Sequence, residues 1–141
     1  MVRRLIVDTG VLIASERGRQ ALRTTVDEDD DLVIAAITVA ELRTGIELAG
    51  DQHRTARTEF LLSVLEVMPV EPYDLATAEA HGRLLAHVHR TGTTRGAHDL
   101  IIAATAVATK RIILTSDRKA HFDDLPGVES LVIGSTGVDG P

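Results

Sequence analysis

Apolar residues in this chain fall into short unbroken runs separated by longer segments where apolar and polar positions alternate with a helical period. The runs at residues 5–7, 32–37, 112–115 and 129–133 are rich in Val, Ile and Leu. Runs of that length suit strands buried on both faces, as in a parallel sheet. A further extended piece is expected at 67–70, bounded by Pro69 and Pro72. Between them, residues 38–48 and 52–64 read as helices, the second with Phe60, Leu61 and Val64 on its apolar side. A long helix is expected from a cap at Asp74 to about residue 89, with Ala78, Leu85 and Val88 inward and Gly82 allowing close packing. Residues 98–108 are almost entirely apolar and read as a buried helix. Residues 15–23 are polar, helical or irregular; 91–96 and 116–127 read as loops, the second with a possible turn. The expected fold is α/β: a mainly parallel sheet of about four to five strands flanked by helices.

With 141 residues the chain fits one domain, residues 1–133, and a loose tail from 134 to 141. A hydrophobic fraction of 44% fits a globular fold. Charged or polar residues interrupt every apolar run before it reaches membrane-spanning length, and no signal-peptide pattern opens the chain. The absence of cysteine excludes disulfide and thiolate chemistry. A cytoplasmic protein is the expectation.

The formal net charge of −6 changes the picture of what the molecule touches. It argues against the whole surface acting as a polycation on nucleic acid. Phe60, Tyr73 and Phe122 are the only aromatic side chains apart from histidine, too few for a base-stacking platform. Contact with nucleic acid would have to use a local basic rim. The acidic run at 27–31 lacks the glycine and terminal glutamate of a calcium loop and reads as a solvated connection.

Four acids share one setting, each where a buried element meets a loop. Asp8 ends the first strand, Glu41 lies near the start of the helix after the second, Asp99 opens the apolar helix, and Asp117 follows the strand at 112–115. In a parallel sheet, strand ends and the following helix starts share one rim, so these carboxylates can converge. Converging carboxylates repel unless some are protonated or a divalent cation binds. Oxygen donors suit magnesium or manganese, which can activate water against a phosphodiester. Each acid also has a structural reading. Thr38-x-x-Glu41 matches a capping box, Asp99 suits a helix N-terminus, and Asp117 suits a turn. Asp8, in a buried strand, is the hardest to explain that way.

The segments Leu5-Ile-Val-Asp-Thr-Gly-Val-Leu-Ile13, Thr38-Val-Ala-Glu-Leu-Arg-Thr-Gly45, His98-Asp-Leu-Ile-Ile-Ala-Ala104 and Leu114-Thr-Ser-Asp-Arg-Lys-Ala-His-Phe122 resemble the PIN-domain nucleases, and more narrowly the VapC-type toxins of bacterial toxin–antitoxin modules. Leu125-Pro-Gly-Val128 resembles the family's loop before its last strand. The four motifs stand in the family's order and span nearly the whole chain. The resemblance implies a PIN-like α/β/α sandwich and a magnesium- or manganese-dependent endoribonuclease. It implies Asp8, Asp99 and Glu41 as holders of the main metal, with Asp117 orienting water or completing a second site. Thr115, and secondarily Thr9 or Ser116, would supply a hydroxyl. It also implies a homodimer and a VapB-type antitoxin that inserts a segment near the acids. Gly10 departs from the family's common Ser and removes one hydroxyl.

Around this set, Arg90, Arg95, Arg118 and Lys119 are the candidate phosphate contacts, which would position RNA without reading its sequence. His98 and His121 either approach phosphate or make local hydrogen bonds. Lys110 and Arg111 suit the C-terminal end of the apolar helix. Three other readings stay open: a haloacid-dehalogenase-like phosphatase, a receiver-like phosphoacceptor, and a catalytically silent acidic metal-binding module. The first wants a second Asp at Gly10; the second wants a lysine after the last strand, where Gly134-Ser-Thr stands.

Overall fold

The computed structural model describes residues 2–16, 26–117 and 120–133. The elements run β1 (Arg4–Val7), α1 (Thr9–Glu16), β2 (Asp31–Ala35), α2 (Ala36–Leu48), α3 (Asp51–Val67), β3 (Val70–Glu71), α4 (Leu75–Thr91), α5 (Ala97–Thr109), β4 (Ile112–Thr115), a 3-10 turn (Phe122–Asp124) and β5 (Ser130–Val132). All five strands are parallel, in the order β3-β2-β1-β4-β5. The chain builds outward from β1 through β2 to β3, then returns to the other side of β1 for β4. That reversal places a crevice at the carboxyl ends of β1 and β4.

The unbroken apolar runs follow from having both sheet faces covered. Ile6, Val33 and Ile113 point to one side, where Ala80 and Leu84 of α4, Ile102 and Ala103 of α5 and Phe122 pack on them. Val7, Ile34 and Leu114, one residue further along, point to the other side and meet Leu12 of α1, Leu42 and Ile46 of α2 and Leu61 and Val64 of α3. The result is the expected three-layer sandwich. Among the described residues no helix is long and apolar enough to cross a membrane.

Several sequence expectations shift. The second strand ends at Ala35, and α2 begins at Ala36, two residues earlier than the Thr38 start. Ile37 is therefore helical, and Ala35, with no side-chain cap, is the N-cap. Thr38 is inside the helix, so the capping-box reading of Thr38 and Glu41 fails. Asp74 does cap α4, accepting from the Thr77 amide at 3.1 Å, and Gly92 ends that helix at φ 67°. The inward face of α4 is Thr77, Ala80 and Leu84; Leu85 is one residue round the helix and is exposed. Gly82 faces open space, with nothing within 4 Å of the position a Cβ would take. The proposed tail at 134–141 lies outside the described residues.

Arg111 serves the end of the apolar helix through its amide, which donates to the Ala106 carbonyl at 2.9 Å beyond the C-cap Lys110 at φ 56°, and not through its charge. Its buried guanidinium donates to the Asp31 carbonyl at 3.1 Å and to Asp31 Oδ2 at 3.3 Å, tying the start of β4 to the start of β2.

Candidate active site

No residue besides Asp8 separates β1 from α1, so the chain reverses there within one peptide. The Asp8 amide donates to the Leu114 carbonyl at 2.9 Å, and the Asp8 carbonyl accepts the Val11 amide at 3.1 Å as the helix starts. Pairing of Val7 with Leu114 sets Asp8 beside Thr115 at the two strand ends. Thr115 Oγ1 donates to Asp8 Oδ2 at 2.9 Å and accepts the Asp117 amide at 3.0 Å. One buried hydroxyl thus orients the carboxylate of Asp8 and fixes the backbone that carries Asp117.

Glu41 is the sixth residue of α2, in its second turn. Thr9 Oγ1 donates to Glu41 Oε1 at 2.8 Å. The hydroxyls of Thr9 and Thr38 are 3.1 Å apart. A hydroxyl carries one hydrogen and an ionised carboxylate only accepts, so with Thr9 donating to Glu41, Thr38 is the donor to Thr9. His98 Nδ1 lies 3.5 Å from Glu41 Oε2. Asp99 is the third residue of α5, after the N-cap Gly96. A Cβ at Gly96 would come within 2.8 Å of Asp99 Oδ2, so the missing side chain leaves the space this carboxylate occupies.

The charges of these acids act on one another. Asp8 is only 6% exposed. Burial pushes its carboxyl up to about 6, against the opposing hydrogen bond from Thr115, and the charges of Asp99 and Glu41 raise it further. Asp99 is also raised, by burial first and then by Asp117 and Glu41, with His98 acting against them. Mutual influence of Asp8, Glu41, Asp99 and Asp117 is the electrostatic signature of carboxylates gathered at one place. Thr38 was missed as a site residue because its spacing to Glu41 reads equally as a cap. Only the earlier helix start turns its hydroxyl inward. Gly96 carried no distinguishing signal beyond standing three residues before Asp99.

Among the described residues, no Lys or Arg side chain makes an ion pair with Asp8, Glu41 or Asp99. An all-oxygen, anionic donor set in which Asp8, Glu41 and Asp99 have no Lys or Arg ion pair among the described residues fits a hard divalent cation. Among the described residues no three acidic or histidine side chains are already drawn together as ligands. The fit therefore rests on donor chemistry and charge.

The basic rim is more dispersed than the sequence suggested. Arg95 is turned inward: its Nη1 donates to the carbonyls of Ala120 at 2.7 Å and His121 at 2.6 Å. It is a strut between the loop before Asp99 and the segment after Asp117, because its largely buried guanidinium is spent on backbone carbonyls. Arg90 is exposed and lines a separate groove with Glu79, Arg83, His87 and Pro126, which none of the four acids lines. Arg118 and Lys119 lie outside the described residues. His121 is exposed, with Nδ1 3.9 Å from Asp124 Oδ2. Ser116 is exposed beside Gly10, its Oγ 3.6 Å from where a Gly10 Cβ would stand.

Comparison with known proteins agrees with this architecture. Residues 5–128 match the PIN domain family model. A protein of Rickettsia bellii named Ribonuclease VapC is 31% identical over 130 residues, covering 92% of this chain and 96% of its own length. Ribonuclease VapC5 of Mycobacterium tuberculosis is 31% identical over 128 residues, 91% of this chain and 92% of that one. The crystal structure of the toxin–antitoxin family member VapBC-5 from M. tuberculosis superposes with a TM-score of 0.77 at 30% identity, covering 92% of this chain and 98% of that one. The VapBC2 structure from Rickettsia felis gives 0.84 at 16% identity, covering 93% and 99%, a likeness of fold. A strand-end aspartate, two acids acting on it with a third acting on one of those, and a match across almost the full length of both chains lead to one assignment: the chain belongs to the PIN-domain family, in its VapC branch.

Proposed function

We propose that this protein is an endoribonuclease that hydrolyses RNA phosphodiester bonds with a divalent metal, and that it is the toxin of a toxin–antitoxin pair. The observation that carries the reading is the buried Asp8 at the crevice between β1 and β4, with Asp99 and Glu41 acting on its charge and Asp117 acting in turn on Asp99. The names of the matched relatives, ribonucleases and VapBC complexes, support the substrate class and the pairing. Asp8, Asp99 and Glu41 would hold magnesium or manganese, and Asp117 would act from the open side. When bound, such an ion activates water and offsets phosphate charge.

The chain's own residues have definable tasks. Thr115 keeps Asp8 pointed along the crevice by donating to Oδ2. Thr9 does the same for Glu41 through Oε1. His98, exposed and next to Glu41, is placed to meet a phosphate oxygen or to take the proton released by water. A VapB-type antitoxin is the expected partner, a basic segment of it entering the acidic mouth in place of metal. A homodimer is the expected assembly. The phosphatase and receiver-like readings have less support, since Gly10 lacks the second acid and the relatives named above carry ribonuclease names.

The test is digestion of total cellular RNA by the purified protein and by Asp99→Asn, with magnesium, manganese or EDTA, and mapping of ends at single-nucleotide resolution. Discrete cuts that need both metal and Asp99 are expected. A folded protein that makes no cuts in any metal contradicts the reading, and cuts that persist in Asp99→Asn remove Asp99 from the site.

A further inference from the structure

Thr38 is fully buried, at 0% exposure, in the middle of the α1–α2 junction. A buried hydroxyl loses its water and must find a partner inside the protein. In helix interiors threonine hydroxyls commonly turn back to the carbonyl four residues earlier. Thr44, Thr58, Thr105 and Thr109 all do so here, at 2.7–2.8 Å. Thr38 is only the third residue of α2, so the carbonyl four residues back, that of Ile34, belongs to β2; the Thr38 hydroxyl meets the Thr9 hydroxyl at 3.1 Å, and Thr9 in turn donates to Glu41 Oε1 at 2.8 Å. The three side chains form a line from the buried first turn of α2 to the partly exposed Glu41 carboxylate. Thr9 is itself buried, at 5% exposure, so the line is shielded from water until it reaches Glu41.

We propose that Thr38 is a positioning residue for Glu41, acting through Thr9. By donating to one lone pair of Thr9, it leaves that residue's only hydrogen for the Glu41 carboxylate. Chains of hydroxyls polarise one another, so the bond to Glu41 is stronger with Thr38 present than without it. Glu41 is thereby held in one rotamer before any ligand arrives, which lowers the ordering cost of gathering the acids around a cation. The inference rests on the metal-site reading given under Proposed function.

The test compares Thr38→Val, which keeps the shape and removes the hydroxyl, with Thr38→Ser, which keeps the hydroxyl. Manganese affinity is read from the rise in Tm on adding the ion, beside kcat and KM for RNA cleavage. Expected are a manganese affinity about ten-fold lower in Thr38→Val, a lower kcat with KM little changed, and near wild-type values in Thr38→Ser. A double variant separates positioning from general packing. In a Glu41→Gln background, adding Thr38→Val should leave manganese affinity where Glu41→Gln alone puts it. An equal drop in both backgrounds overturns the proposal, as does wild-type affinity in a folded Thr38→Val. Should Thr38→Val not fold, Thr38→Ser decides, since a folded Thr38→Ser that binds manganese weakly overturns the role of the hydroxyl. Failure of the wild-type protein to bind manganese is a different result, which contradicts the metal-site reading itself.

Discussion

Asp8 is the residue in which structure and chemistry conflict most. In the native protein its carboxyl keeps a proton to about pH 6, whereas the ordinary value is 3.8. Between those values the native state binds more protons than the unfolded chain, so stability falls as pH rises through that window. The full cost above it is roughly 3 kcal/mol. Metal-free Asp8→Asn, which has no charge to bury, should therefore melt several degrees above the wild type at pH 7.5, and the gap should close near pH 4. An Asp8→Asn protein less stable than the wild type at pH 7.5 would show that the carboxylate has an internal partner. Gly96 offers a second test. Its φ of −62° and ψ of 133° are open to any residue, so Gly96→Ala alters only the space beside Asp99. The Asp99 carboxylate must swing away, and RNA cleavage should fall at least ten-fold while Tm moves by only a few degrees. Unchanged cleavage would mean that Asp99 works equally well in another rotamer.

At the level of elements, the strands and helices were readable because both core faces draw on the same short runs. Ile6 with Val33 and Val7 with Ile34 simply alternate across β1 and β2. The carboxylates were readable for a related reason: a charge at the end of a buried strand has no packing use. The β2–α2 junction was misread because Ala36 and Ile37 suit a strand as well as a helix, and no cap side chain marks the boundary. That error hid Thr38. Arg95 and Arg111 were misread because the sequence shows their charge and not the carbonyls they satisfy. Arg95 makes the consequence measurable. Arg95→Ala removes the bonds to Ala120 and His121, freeing the two loops that flank Asp99 and Asp117. Amide hydrogen exchange at residues 120–124 should quicken, and cleavage should drop with it. Unaltered exchange there would assign Arg95 back to the substrate rim.

For the whole molecule, the sheet order places the charge conflict in a crevice where four core elements meet. β1 leads to Asp8, β4 supplies Thr115 and leads to Asp117, and α2 and α5 bring Glu41 and Asp99 to the same rim. The fold can carry such a cluster because the rest of the core is apolar and closely covered on both sheet faces. A divalent cation would resolve the conflict by displacing the proton that Asp8 otherwise keeps. Calorimetric titration of manganese into the metal-free protein, in buffers of differing ionisation heat, tests this directly. At pH 6 binding should release on the order of half a proton, at pH 8 almost none, and Asp8→Asn should bind far more weakly. Tight binding without proton release at pH 6, or binding indifferent to Asp8→Asn, would place the cation elsewhere and contradict the central claim.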